Sequence, residues 1–126
     1  MSPRRIPALA FVADLIAVVV FAAIGRMSHN ESDSLVGLLG TAAPFLLGTF
    51  AMWATPTVRA HPVGVRAALT VWAGTVVIGL LVRAAFTWSL PMTFAAITAV
   101  SLAVLLLGWR ALSAAVSARA RQQALR

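Results

Sequence analysis

Asp14 is the residue of this chain best suited to chemistry. It is the only charged side chain within four long apolar runs, at residues 6–25, 35–54, 67–82 and 90–109. It stands nine residues beyond Arg5, about 13 Å along a helix and so near the middle of a membrane span. A carboxylate at that depth costs roughly 2.5–3.5 kcal/mol even on a lenient insertion scale. It must be protonated, hydrated or paired. One reading makes Asp14 a proton or cation site. The other makes it an interhelical hydrogen-bond acceptor for a Thr, Ser or Trp of a neighbouring helix.

Arg83 is the second signal. It shares a helical face with Trp72, Thr75 and Gly79, near the end of the third run. A guanidinium cannot be discharged, so it either snorkels to the outer surface or forms an outer vestibule with Arg26 and His29. A direct Arg83–Asp14 ion pair is too long along the membrane axis. His29, Glu31 and Asp33 lie within five residues, but one imidazole at this spacing matches no known metal site, and none is expected. His61 is expected on the other side of the membrane, so the two histidines cannot share a haem iron. Ser28 and His29 are adjacent, which does not make a nucleophile–base pair. No phosphate-binding glycine loop is present. The chain has no cysteine, which removes disulfides, iron–sulfur clusters and thiolate zinc. No enzyme activity and no cofactor are expected.

The elements that position these residues follow from length and hydropathy. A helix needs ~20 mostly apolar residues to cross ~30 Å of hydrocarbon, and each run supplies nearly that. Of 126 residues, 61% are hydrophobic and only 10% charged, with a mean hydropathy of +0.95. A soluble domain of this size needs a polar shell that such a composition cannot provide. The expected fold is all-α: a polytopic membrane protein of four transmembrane helices, forming a single membrane domain over 1–126. The helices fall at about 6–25, 35–54, 67–88 and 90–110, followed by a basic tail at 111–126. The first run is too long for a signal peptide and carries Asp14, so it reads as a retained helix.

The ten basic residues are all arginine, and net charge is +7. Nucleic acid is not the expected partner, because the arginines flank the apolar runs. Arg4, Arg5, Arg59, Arg66, Arg110, Arg119, Arg121 and Arg126 fall on one side, Arg26 and Arg83 on the other. This bias places both termini in the cytoplasm of a multi-pass protein of the plasma membrane. Residues 26–34 form a polar outer loop, in which Ser32, Asp33 or Ser34 can cap the second helix. Residues 55–66 form an inner loop broken by Thr-Pro and His-Pro steps. Pro91 falls in the first turn of the fourth helix, where a missing N–H does no harm. The tail extends that helix and lays its arginines against anionic inner-leaflet lipid.

Helices in lipid associate through small residues and polar contacts. The candidate stripes are Ala10, Asp14, Ala17, Phe21 and Gly25 on the first helix, and Gly37, Gly40, Thr41, Pro44 and Gly48 on the second. Those of the third are Trp72, Thr75, Gly79 and Arg83, and of the fourth Thr98, Ser101 and Gly108. Pro44 removes a backbone hydrogen bond at mid-span. This makes the second helix either a tightly packed, slightly kinked one or a broken helix lining a cavity.

Taken in order, Asp14, Phe21, Gly25-Arg26, Ser28-His29, Pro44-Phe45, Gly64, Trp72, Gly79, Arg83, Phe94 and Gly108-Trp109-Arg110 resemble a known pattern. It is that of a family of small four-helix membrane proteins of unknown function, common in actinobacteria and halophilic archaea. The resemblance runs from about Phe11 to Arg110. Residues 87–93 depart from it, with Trp88-Ser89-Leu90-Pro91 where a glycine-containing turn is expected. The resemblance implies fold and location and no activity. Small multidrug exporters and fluoride channels share the size and helix number but not the pattern. Their antiparallel insertion needs weak charge bias, whereas the bias here favours a parallel assembly.

Two functions are expected from these residues. The first is a small homo-oligomeric permease or proton/ion-coupled transporter. In it Asp14 is the protonatable site, Pro44 with Gly40 and Gly48 supplies a flexible helix, and Arg26, His29 and Arg83 line the outer vestibule. The alternative is a non-catalytic accessory or assembly subunit that joins a larger membrane complex through its small-residue faces.

Overall fold

The computed structural model describes residues 5–28 and 35–125. Its elements are α1 (Arg5–Ser28), α2 (Leu35–Trp53), a short α3 (Pro56–Ala60), α4 (Val65–Thr87), α5 (Met92–Leu102), a π-helical turn (Ala103–Leu107) and α6 (Gly108–Ala124). Among the described residues there is no strand. Four helices are long and apolar enough to cross a membrane: α1, α2, α4, and the continuous rod from α5 through the π turn to α6.

The boundaries follow local chemistry. Pro56 forces Thr55 into an extended conformation (φ −83°, ψ 145°) and then opens α3 as a first helical residue. The connection between α2 and α4 therefore holds one helical turn where the sequence reads as loop. α3 stops at His61, ahead of Pro62. At the far end of α4, Trp88 takes a left-handed conformation (φ 57°), and its N–H closes the helix on Ala84 O at 2.8 Å. Glycine ordinarily fills that position. Here a Trp makes the turn, and it lies 92% exposed outside the bundle. Pro91 is the N-cap of α5 rather than a first-turn residue.

α2 and α4 form the closest pair, α1 lies against α2, and the fourth rod packs on α4 and α1. The α2–α4 seam is built on small residues. A Cβ on Gly48 would come within 2.8 Å of Gly74 O. Next to it the Thr49 and Thr75 hydroxyls meet at 2.8 Å. Thr49 donates to Phe45 O at 3.0 Å, so Thr75 is the donor to Thr49. Gly79 lies under the ring of Phe45, which meets Phe21 of α1 edge-on at 5.2 Å. Leu102 and Leu106 complete the core from the fourth rod. Outward the surface is apolar: Leu9, Ile16, Leu47, Phe50, Val77 and Val104 are all exposed. Apolar side chains on both the inside and the outside mark a protein whose solvent is lipid.

Candidate functional site

Asp14 is fully buried, and both of its oxygens are occupied. The Arg110 guanidinium grips it end-on, Nη1 to Oδ1 at 2.8 Å and Nη2 to Oδ2 at 2.9 Å. The Trp109 indole N–H donates to Oδ1 at 2.8 Å, and that of Trp53 to Oδ2 at 2.8 Å. Four donors fill the roughly four acceptor positions of a carboxylate. Two further N–H groups of the guanidinium are also used. Nε donates to Pro62 O at 2.8 Å, and Nη1 also reaches Leu106 O at 3.2 Å. Arg110 itself is 3% exposed and lies over the Trp109 ring, 4.5 Å from its centre.

Four segments converge to make this clamp. α1 presents Asp14 on the buried row of Ala10, Ala17, Val18 and Phe21. α2 ends on Trp53, whose ring is steadied edge-on by Phe11 at 5.2 Å. The α3–α4 connection supplies the Pro62 carbonyl. The fourth rod supplies Trp109 and Arg110, and its π turn explains how. Thr98, Leu102, Leu106 and Arg110 are all buried, each four residues from the last. In an α-helix four residues overshoot a turn by about 40°, so three such steps would carry Arg110 about 120° off the face of Thr98. The π turn at 103–107 is wider. It absorbs that overshoot and brings Arg110 and Trp109 back to Asp14.

Asp14 is thereby tied to the last residue of α2 and, through Arg110, to the α3–α4 connection. Trp was among the partners expected for it. Arg110 was not, because its place after an apolar run reads as a flanking cytoplasmic charge. The signals that pointed to it were the lone acid, which needs a counter-charge, and the Gly108-Trp109-Arg110 motif. The π turn left no mark in the sequence pattern.

The other candidates sit at the opposite end. Arg26 ties α1 to α2, donating to Gly37 O at 3.2 Å and Thr41 Oγ1 at 3.1 Å. Thr41 donates in turn to Gly37 O at 3.0 Å. Arg83 is half-buried and stacks on Phe94, its guanidinium carbon 4.4 Å from the ring centre. It also borders an open hollow of about 540 Å³ between α2 and α4, together with Gly40 and Pro44. His29, Glu31 and Asp33 lie outside the described residues. Among the described residues no group of three His, Cys, Asp or Glu side chains is placed to hold a metal. Of the second-helix stripe, Gly48 is inside the α2–α4 seam, Pro44 is at its edge, and Gly40 faces outward. Thr75 and Gly79 are buried against α2, while Trp72 turns to the fourth rod and donates to Ala99 O at 2.8 Å.

Fold and site together define a class: a four-helix polytopic membrane protein in which a buried aspartate is clamped by an arginine and two indoles. The chain belongs to a protein family of unknown function, DUF3054, whose model matches residues 11–113 and so takes in the whole clamp. No curated protein and no solved structure matches it.

Proposed function

We propose that this protein is a non-catalytic accessory or assembly subunit of a larger membrane complex. The observation that carries this reading is the saturation of Asp14. A proton arriving at either oxygen would displace a donor and leave the buried Arg110 charge uncompensated. Asp14 lines neither the hollow bordered by residues of 40–47 and 82–87 nor the one bordered by residues of 96–101. The clamp serves as a lock that fixes the register of the helices. The working surface is then the exposed apolar exterior. In this reading the chain sits in the plasma membrane with both termini in the cytoplasm. With Arg110 consumed by the clamp, seven flanking arginines still oppose two.

The native mass of the protein, extracted from its own membrane in mild detergent, tests this. Co-purification with other chains in fixed ratio supports it. A homo-oligomer alone overturns it in favour of the permease. That second reading draws on the hollow beside Pro44 and Arg83. It expects proton or ion flux in liposomes that Asp14→Asn abolishes.

A further inference from the structure

The hollow between α2 and α4 has a chemistry of its own, independent of whether the chain is a subunit or a permease. Its floor is apolar and low: Gly40, Ala43 and Pro44 stand where larger side chains would fill it, and Leu47 lines it further along α2. From Gly40 to Leu47 this floor runs about 10 Å along the helix. At its rim is Arg83, one turn before α4 ends at Thr87. Phe94 covers one face of the Arg83 guanidinium and leaves the N–H edge unused. Among the described residues no carboxylate or carbonyl accepts from it. The other buried or half-buried arginines differ, since Arg26 and Arg110 are both hydrogen-bonded. Trp88, which follows at once, is 92% exposed, as interfacial aromatic residues are at the level of lipid headgroups.

We propose that this hollow is a binding site for one anionic phospholipid. The phosphate lies on the free edge of Arg83, which presents paired donors to two of its oxygens. An acyl chain lies along the Gly40–Ala43–Leu47 floor. A guanidinium at the end of an apolar trough that opens toward lipid matches this amphiphile in charge and in shape. A soluble anion would use the arginine alone. Among the described residues no carboxylate lines the hollow, so none of them receives the ammonium of a zwitterionic headgroup.

The test is binding of phosphatidylglycerol to the full chain in neutral detergent, read by native mass spectrometry and by thermal shift. Phosphatidylcholine and glycerol 3-phosphate are the comparison ligands. Phosphatidylglycerol is expected to be retained and to raise the melting temperature, binding roughly tenfold tighter than phosphatidylcholine, with no effect of glycerol 3-phosphate. Arg83→Gln should abolish the preference between the two lipids. Gly40→Leu should abolish retention while the protein stays folded, because a Cβ on Gly40 meets nothing within 4 Å and Leu is a better helix former than Gly. Equal binding of the two lipids overturns the proposal, as does retention that both variants leave unchanged. Binding of glycerol 3-phosphate as tight as that of the lipid overturns it in favour of a soluble anion.

Discussion

The clamp makes Asp14 and Arg110 depend on each other. Removing one partner of a buried ion pair strands the other charge, which costs about 3–5 kcal/mol. Asp14→Leu and Arg110→Met are each expected to lose stability of that order in thermal unfolding in detergent. The double variant should lose less than the sum, since no lone charge remains, and a double-mutant cycle measures the difference. Additive losses would mean that the two residues act apart. Thr98 makes the converse case. Its buried hydroxyl is without a partner among the described residues, and an unsatisfied buried hydroxyl is a cost. Thr98→Val keeps the shape and removes the cost, so a gain of roughly 1 kcal/mol is expected in the same assay. Asp14 was legible as the residue under most constraint because charge is so rare in these runs. Which group relieves it was not, because Arg110 stands 96 residues away and looks like any other flanking arginine.

At the scale of elements, two devices hold the bundle. The first is the seam between α2 and α4, where glycine allows close approach of the backbones. Gly48→Ala would drive a methyl against Gly74 O and Thr75, and Gly79→Ala would meet the buried ring of Phe45. Both should lower the melting temperature, while Gly40→Ala should leave it level or raise it. Equal effects at all three positions would remove the seam from the account. A stripe of small residues read at helical spacing does not distinguish these cases. Only the neighbour decides whether a glycine is a contact or a gap. The second device is the π turn. Deleting Leu105 would leave eleven residues from Thr98 to Arg110, which a regular α-helix carries to within about 20° of the same face. The π turn and the extra residue would be lost together, so the clamp and the melting temperature are expected to survive. An alanine inserted beside Leu105 instead turns Trp109 and Arg110 by about 100° and should lower the melting temperature, and an insertion as stable as the parent would show that the turn positions nothing. The stretch of apolar residues around 103–107 fits an α-helix and a π turn equally well, and tertiary demand made the choice.

For the whole molecule, the bundle ends at the clamp and the chain does not. Beyond Arg110, α6 continues as an exposed rod carrying Arg119 and Arg121. Truncation after residue 112 should leave the melting temperature of the bundle unchanged, because the segment removed contributes nothing buried. A clear fall would give the rod a part in the fold. The cysteine-free sequence also makes orientation directly measurable. A single cysteine at Ser113 should be labelled only from the cytoplasmic face, and one at Ser34 only from outside. Labelling of both from both sides would mean dual insertion and would remove the basis for a parallel assembly.

The sequence alone determined that this chain is an all-α membrane protein with four spans, because lipid obliges a backbone to satisfy its own hydrogen bonds and hydropathy reads that obligation out locally. It also singled out Asp14, since a charge among apolar residues is conspicuous by composition. The tertiary structure decided what Asp14 does. Its partners come from α2, the α3–α4 connection and the last helix, and a non-local pairing leaves no periodicity to read. The structure likewise separated Gly48 from Gly40 and set Arg83 over an open trough. In each case the outcome lay in what stands opposite the residue across a few ångströms of packed space, which spacing along one helix does not specify.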